Sequence, residues 1–549
     1  MCSLVGNDVF TDIEMFTCYD PNNSDTVMNV FTDSIFSLSS KTVIEDWLMH
    51  PKHEMGDLCQ IQKNLQMFES PYQQNRIELN TLRVLIRQHD PFIQFFLHPP
   101  KKEIVSILDF VYFKIPILVY LRFNTIGSLL TCNNTYSVVV APLLSVLSPL
   151  LYVMIPYCIL VFKFKLKIPI YSFLRVIYKS VTSFPIQTRT FIFTKAISTI
   201  VSVALYLHGI QTTLFFAKNS YKVCSHLLKN LEGFYDYVAH CKTVCKLCDQ
   251  SMDLPKSLEN FMALGSNTTL FNIGKKLAWY DSYSMNEMNT FSKHMDRIFA
   301  RISVVKLRND RGLCYTKFLE QSDTTLDMKG CGHILIPNGV TNDICLTNSG
   351  CMITGPNAAG KSTFLKSILV NILLSQSLGM CCATHCELTP FYFINSQINI
   401  PDTKGVESLF EAEMHRCKYN LDIIRELPND RKSVLVMDEL FNSTNVVEGV
   451  SGAYAILSKL TTFKNTMTLL TTHFPYLTKL KSFSRYKFDA TVVSIDPSVI
   501  EESDTDRIQY TYKMKPGVSQ QYIALDILKK NFDSDVIDIA QTIKNKLLV

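Results

Sequence analysis

Gly355-Pro356-Asn357-Ala358-Ala359-Gly360-Lys361-Ser362-Thr363 is the stretch that decides how this chain folds. Two glycines separated by four residues, followed by lysine and a hydroxyl residue, have the P-loop spacing. The apolar run Cys351 to Thr354 leads in as a short strand, and Phe364 to Leu378 follows with helical spacing, so the loop falls at a helix N-terminus. Backbone N–H groups in such a place cradle phosphate oxygens. Lys361 reaches the β- and γ-phosphates as a point charge, and the Ser362 hydroxyl ligates Mg²⁺.

Two further strand ends lie downstream. Ser433 to Asp438 is an apolar run closed by the carboxylates Asp438 and Glu439, placed to hold the Mg²⁺ shell and to polarise a water. Met467 to Leu470 runs into Thr471-Thr472-His473, which brings an imidazole to the same edge; taken alone it reads as structural, and with the other two motifs as a γ-phosphate contact. Short apolar runs alternating with helical ones predict an α/β domain with a mostly parallel sheet over 336–549.

These residues resemble the MutS mismatch-repair ATPase family, a branch of the ABC-type P-loop ATPases. The likeness covers about 340–549: Thr341-Asn342-Asp343-Ile344, the loop itself, and Ser408-Leu409-Phe410-Glu411-Ala412-Glu413-Met414, similar to an S-x-F-x-x-E-M element whose serine reaches the nucleotide of the opposite subunit. The resemblance thus implies that Ser408 acts in trans in a homodimer, or in a heterodimer with another MutS-like chain. Tyr510 to Gly517 and Ala524 to Ala540 resemble the closing strand and the helical dimerisation segment. Glu45-Asp46-Trp47-Leu48-Met49-His50-Pro51 is similar to the entry of the all-α core domain, which leaves no room before it for the mismatch-reading domain; Phe318-Leu319-Glu320 has that domain's letters but comes far too late. Where mismatch-repair enzymes have D-E-x-G-R-G-T, this chain has Asp438-Glu439-Leu440-Phe441-Asn442-Ser443-Thr444-Asn445, nearer a MutS-like branch with predicted membrane segments. The resemblance implies a nucleotide-switched DNA-binding ATPase of mismatch repair or recombination, using ATP and Mg²⁺, with slow turnover because Asn442 and Ser443 replace Arg and Gly. An ABC transporter half is disfavoured, since no LSGGQ-like element precedes the Asp438 strand.

Composition marks a second region. The 549 residues carry a formal charge of +5 and a mean hydropathy of +0.11. Between Phe110 and Leu231, however, there are 12 basic side chains and no carboxylate. Four segments are expected: a helical core, first part (1–100), an apolar basic insertion (101–220), a helical core, second part (221–335), and the ATPase domain (336–549). The uncharged run Phe123 to Phe162 is long enough for two crossings of a bilayer, about 20 residues each. It reads as a membrane hairpin with arms 104–130 and 136–162 and its tip at Thr131-Cys132-Asn133-Asn134-Thr135. Basic residues at both bases place them, with the ATPase, on the cytosolic side of a membrane anchor. The competing reading is a buried helical subdomain, favoured by Asp109, Lys114 and Arg122 in the first arm. Ala196 to Ala217 reads as a core or interfacial helix, and the seven basic residues from Lys163 to Lys195 suit phosphates of DNA or of lipid headgroups alike. A membrane-anchored ATPase acting on protein or lipid is therefore the alternative function. The 17 scattered cysteines, without a secretory leader, read as reduced cytosolic thiols. Cys241, Cys245 and Cys248 fall on one helical stripe, read as a packed face ahead of a metal site with His240.

Overall fold

The computed structural model describes residues 2–18, 25–98, 111–182, 189–252, 254–266, 269, 273–321, 323–398, 408–494, 506–521, 532 and 534–547. The chain forms two compact units, one of Met1–Ile77 with Asp296–Val549 and one of Glu78–Met295. The boundary expected at 220 falls inside a helix that runs from Arg189 to Leu247.

The first unit is α/β. Its described strands are β1 (Leu4–Val5), β2 (Cys314–Tyr315), β3 (Lys317–Phe318), β4 (Thr325–Cys331), β5 (Asn342–Thr347), β6 (Gly350–Thr354), β7 (Met380–Cys381), β8 (His385–Leu388), β9 (Phe393–Gln397), β10 (Ser433–Asp438), β11 (Thr466–Thr471), β12 (Phe483–Ser494) and β13 (Asp506–Pro516). Among the described residues, seven of them build one sheet in the order β1-β9-β10-β11-β6-β12-β13. Every neighbouring pair is parallel except β12 with β13. β6 and β10 are apolar almost throughout because both faces of the sheet are covered; every residue of β6 is buried. The helices Lys361–Leu378, Leu409–Glu426 and Val446–Leu460 link these strands, and Met437, Phe441, Leu457 and Phe474 share one apolar cluster.

Two sequence expectations change here. Leu4–Val5, assigned to the helical first hundred residues, instead extends the sheet, pairing in parallel with Phe393 and Ile394. A two-residue edge strand carries no periodicity, so only the partner strand reveals it. Tyr510 to Gly517 does form the closing strand, antiparallel to β12, but residues 524–531 of the expected dimerisation segment lie outside the described residues; Ser534–Leu547 is helical.

The second unit is helical among its described residues. Thr131 to Thr135, expected as a hairpin tip, continues a helix: Gly127 to Lys163 is helical throughout, with π-helical turns at Tyr136–Val140 and Ile159–Lys163. The polar residues that suggested a turn are instead bonded to neighbouring chain. Thr131 Oγ1 accepts from the Gly274 N–H at 3.0 Å, Asn133 Nδ2 donates to Val111 O at 3.0 Å, and Asn134 Oδ1 accepts from Cys224 Sγ at 3.0 Å. The expected first arm lies outside the described residues at 104–110. The partner of the second arm is the helix Arg189–Leu247. Asn134 meets Cys224 and Val146 O accepts from Tyr206 Oη at 2.8 Å, so the two run antiparallel, and the basic stretch from Lys163 joins them at the end away from the buried Asn134 and Cys224. That reverses the expected placing of the positive charge at the base of the hairpin. Along this pair the large apolar residues stand exposed, Tyr152 at 84% and Ile200 at 68%. Beyond Cys224 the long helix enters the unit's core, where Cys241, Cys245 and Cys248 are buried together as a packed face.

Gly274 approaches the helix Gly127–Thr135 so closely that a Cβ there would lie 1.8 Å from Gly127 O. Gly274→Ala should therefore destabilise the fold by about 1–3 kcal/mol. Gly209→Ala, with nothing within 4 Å of the added methyl, should be neutral or stabilising by up to about 1 kcal/mol. Thermal unfolding followed by circular dichroism checks both, and equal midpoints for the two variants would refute the close approach.

Candidate nucleotide site

Three parallel strands deliver the motifs to one edge, as carboxyl ends of strands do in open α/β sheets. β6 ends in the glycine-rich loop, β10 in Asp438 and Glu439, and β11 in Thr471, Thr472 and His473. The neighbours β10 and β11 are in register at Asp438 and Thr471. The loop's conformation explains its two glycines. Gly355 has φ +155°, and a Cβ there would lie 2.6 Å from Phe488 O; Gly360, at the start of the helix, has φ +97° and faces the Tyr512 ring. The first-turn N–H groups of the helix have no intrahelical acceptor.

Lys361 is 4% exposed, and its ammonium donates to Gly355 O at 3.0 Å and Pro356 O at 3.1 Å. Burial lowers its pKa, opposed by the charges of Glu439 and Asp438. Glu439 Oε1 lies 3.8 Å from Lys361 Nζ and 2.6 Å from His473 Nε2. The hydrogen bond from His473, with the charges of His473 and Lys361, holds the Glu439 carboxyl below its ordinary range against the opposing effect of burial. Asp438 is oriented by the Thr471 hydroxyl, which donates to Oδ1. Lys361, Glu439 and His473, chosen from three separate stretches of sequence, thus form one cluster.

A cavity of about 710 Å³ opens beside it, lined by Asn357, Ala358, Gly360, Lys361, Ser362, Thr363 and Glu439 from the expected set. That volume lies in the range of small-molecule sites. Gly355 and Pro356 contribute through their carbonyls to Lys361, and Ala359 is buried beneath the loop. Ser408 is not among the lining residues. It is the exposed N-cap of the helix Leu409–Glu426, its Oγ accepting from Glu411 N at 3.2 Å in a capping box.

Several groups here escaped the sequence reading. Asn442 Nδ2 donates to Glu439 Oε2 at 3.0 Å, so the residue standing where the resemblance expects arginine holds the second carboxylate oxygen. Thr471 Oγ1 accepts from Glu439 N at 3.1 Å, steadying a residue whose φ of +52° is in the left-handed region. His333, Ile336, Phe488 and Tyr512 line the cavity from strands and loops far from the motif. Burial lowers the His333 pKa to about 4, so its ring is neutral at pH 7. Only the spatial neighbourhood of β4, β12 and β13 identifies these four.

The geometry defines an α/β domain with a glycine-rich loop that opens a helix onto a cavity lined by Lys361, Glu439 and the imidazole of His333, with His473 paired to Glu439 and Asp438 next to it in the chain. Residues 351–548 match the family model MutS domain V, so this part of the chain is similar to that domain. It is 23% identical over 301 residues to the DNA mismatch repair protein Msh3 of Dictyostelium discoideum, covering 50% of this chain and 20% of that protein. It is 29% identical over 194 residues to the DNA mismatch repair protein MutS of Pelotomaculum thermopropionicum, covering 35% and 21%. It is 33% identical over 214 residues to the Endonuclease MutS2 of Leuconostoc mesenteroides, covering 38% and 25%. The chain thus spans about a fifth to a quarter of the length of these relatives.

The folded-state pKa of Glu439 lies below its ordinary value of 4.5, so its ion pairs stabilise the fold fully above that value and lose their effect as pH falls through the lowered one. The stability difference between wild type and Glu439→Gln should accordingly shrink on acidification below pH 4.5. Urea unfolding of both chains across that range measures it; a difference that does not change with pH would contradict the pairing.

Proposed function

We propose that the α/β unit is an ABC-type P-loop ATPase domain that binds ATP with Mg²⁺, hydrolyses it slowly, and uses the nucleotide state to control DNA binding in mismatch repair or recombination. The observation that carries the reading is the convergence of Lys361, Glu439 and His473 beside the loop. The loop N–H groups and Lys361 bind the phosphates, with Lys361 exchanging its carbonyl partners for phosphate oxygens. Ser362 and Asp438 offer a hydroxyl and a carboxylate, hard oxygen donors that suit Mg²⁺, which supplies charge neutralisation at the β- and γ-phosphates. Glu439 polarises the attacking water, and His473 contacts the γ-phosphate and fixes the carboxylate. Asn442, tied to Glu439, draws electron density from that base and favours slow turnover. The DNA role is supported by the match to MutS domain V and by relatives whose names state DNA mismatch repair.

Ser408 completes the site of a second MutS-like chain in a homodimer or heterodimer. Its exposure at a helix N-terminus, away from its own cavity lining, supports this reading. The helix it caps is tied to the catalytic edge, because Ser443 Oγ donates to Glu413 Oε2 at 3.2 Å.

The second reading is a cytosol-facing ATPase anchored in a membrane and acting on a protein or lipid partner. It is favoured by the antiparallel apolar pair, whose helical segments Gly127–Lys163 and Ala196–Leu247 are long and apolar enough to cross a bilayer. Length and composition alone support it.

ATPase and nucleotide-binding assays on the purified chain test the first reading. Lys361→Ala should weaken ATP binding about 10- to 100-fold, the loss of a charge-assisted contact. Glu439→Gln should retain binding and slow hydrolysis by about 10²- to 10⁴-fold; hydrolysis at the wild-type rate would remove Glu439 from its role. Mixing Ser408→Arg and Lys361→Ala chains should restore one active site, and no rescue would count against sharing in trans. Rates should change when mismatched or branched DNA is added. Indifference to DNA together with flotation on anionic liposomes, resistant to high salt and to carbonate, would transfer the assignment to the membrane reading, and failure to float would discard it.

A further inference from the structure

β2 and β7 form a short antiparallel ladder in which Cys314 and Cys381 are directly opposed, with Tyr315 opposite Met380. Thr316 N donates to Gly379 O at 3.0 Å, so alternation along the ladder makes Cys314 and Cys381 a hydrogen-bonded pair, with about 5.5 Å between Cα atoms. That separation lies at the common value for disulfides. The two sulfurs are already 3.7 Å apart. The strands are fixed around them: Gln62 Nε2 donates to Thr316 O at 2.6 Å and to Gly379 O at 2.8 Å, and Thr316 Oγ1 is 2.7 Å from Ser375 Oγ. The pair is chemically asymmetric. Cys314 is half-buried and Cys381 is fully buried. The contact with Cys381, with the backbone N–H groups and Arg308 nearby, holds the Cys314 thiol below its ordinary value, while the Cys381 thiol is pushed well above it.

We propose that Cys314 and Cys381 are a peroxide-oxidisable pair that closes to an intrachain disulfide across the β2–β7 ladder. The oxidant is a hydroperoxide. The Cys314 thiolate attacks the terminal oxygen, the O–O bond breaks, and the thiol becomes a sulfenic acid as the hydroperoxide leaves as an alcohol, or as water when the oxidant is hydrogen peroxide. Cys381 sulfur then attacks the sulfenic sulfur, giving the S–S bond and expelling hydroxide, which leaves as water with the Cys381 proton. Two thiols lose two electrons and two protons in total, and the peroxide bond accepts them. Cys381 resolves from the facing strand, whereas Cys382 follows on the other face of the pleat. The closed loop holds the 67-residue span that contains the glycine-rich loop and the whole helix Lys361–Leu378. The bond would tie the far end of that helix to the strand following Arg311. The step does not depend on the nucleotide reading, since neither sulfur lies at that site.

The test uses the full chain, fully reduced, treated with stoichiometric hydrogen peroxide, alkylated, digested and mapped by mass spectrometry. The free-thiol titre should fall by two of 17, with one cross-linked peptide joining Cys314 to Cys381. The cross-link should vanish in Cys314→Ser and Cys381→Ser, persist in Cys382→Ser and Cys386→Ser, and reverse with a phosphine. As Cys314 is half-buried, Cys314→Ser keeps the test readable if Cys381→Ser fails to fold. A cross-link that survives Cys381→Ser, a Cys314 sulfinic acid without a cross-link, or a bond joining isotopically light to heavy chains would each overturn the proposal.

Discussion

A lysine ammonium placed almost wholly out of water is the constraint on which the α/β unit depends. Removing such a charge from solvent costs several kcal/mol unless polar groups surround it. Lys361 meets the requirement with two carbonyls of its own loop and with Glu439 at the end of a different strand. The loop must therefore curl back over its helix, and this curl gives Gly355 and Gly360 their positive φ. Glu439 must in turn reach in from β10, which it does in a left-handed conformation held by its one N–H, shared between Thr471 O and Oγ1. The same residue pairs with His473 at the end of β11. The parallel register of β6, β10 and β11 is thus also an electrostatic arrangement.

A second polar constraint lies inside the sheet. β9 is buried yet carries Asn395, Ser396 and Gln397, and each has a partner: Asn420, Asp12 and Glu413 O respectively. Unpartnered, these groups would each cost roughly 1–3 kcal/mol. The partners come from the N-terminal segment and from the helix Leu409–Glu426, so satisfying β9 also anchors the helix that Ser408 caps. Glu413, whose pKa is raised by burial, extends the chain of contacts to Ser443, four residues after Glu439. The helix that Ser408 caps and the edge that holds Glu439 are therefore mechanically joined.

The helical unit shows the opposite economy. Its core residues, Phe234, Phe261 and Trp279 among them, stack closely, with Phe261 and Trp279 centroids 4.2 Å apart. The antiparallel pair, where the long helix runs ahead of Cys224, leaves its apolar surface uncovered. That exposed apolar surface lies within the stretch from Phe110 to Leu231, which carries no carboxylate.

The sequence alone located the candidate site. The loop, the two carboxylates and His473 are legible because each is a local signal: fixed spacing, or an apolar run ending in a polar residue. The closing strand, Tyr510 to Gly517, was implied by the family resemblance, and β13 pairs there antiparallel to β12. Only the tertiary structure decided what depends on pairing between distant segments. Leu4–Val5 became a sheet strand because β9 offered an open edge, and Asn442 met Glu439 because the chain turns back after β10. Thr131, Asn133 and Asn134 did not form a turn because Gly274, Val111 and Cys224 satisfied them within helices. A polar cluster has the same letters in a turn and in a helix, and the hydrogen-bond partners that choose between them come from elsewhere in the chain.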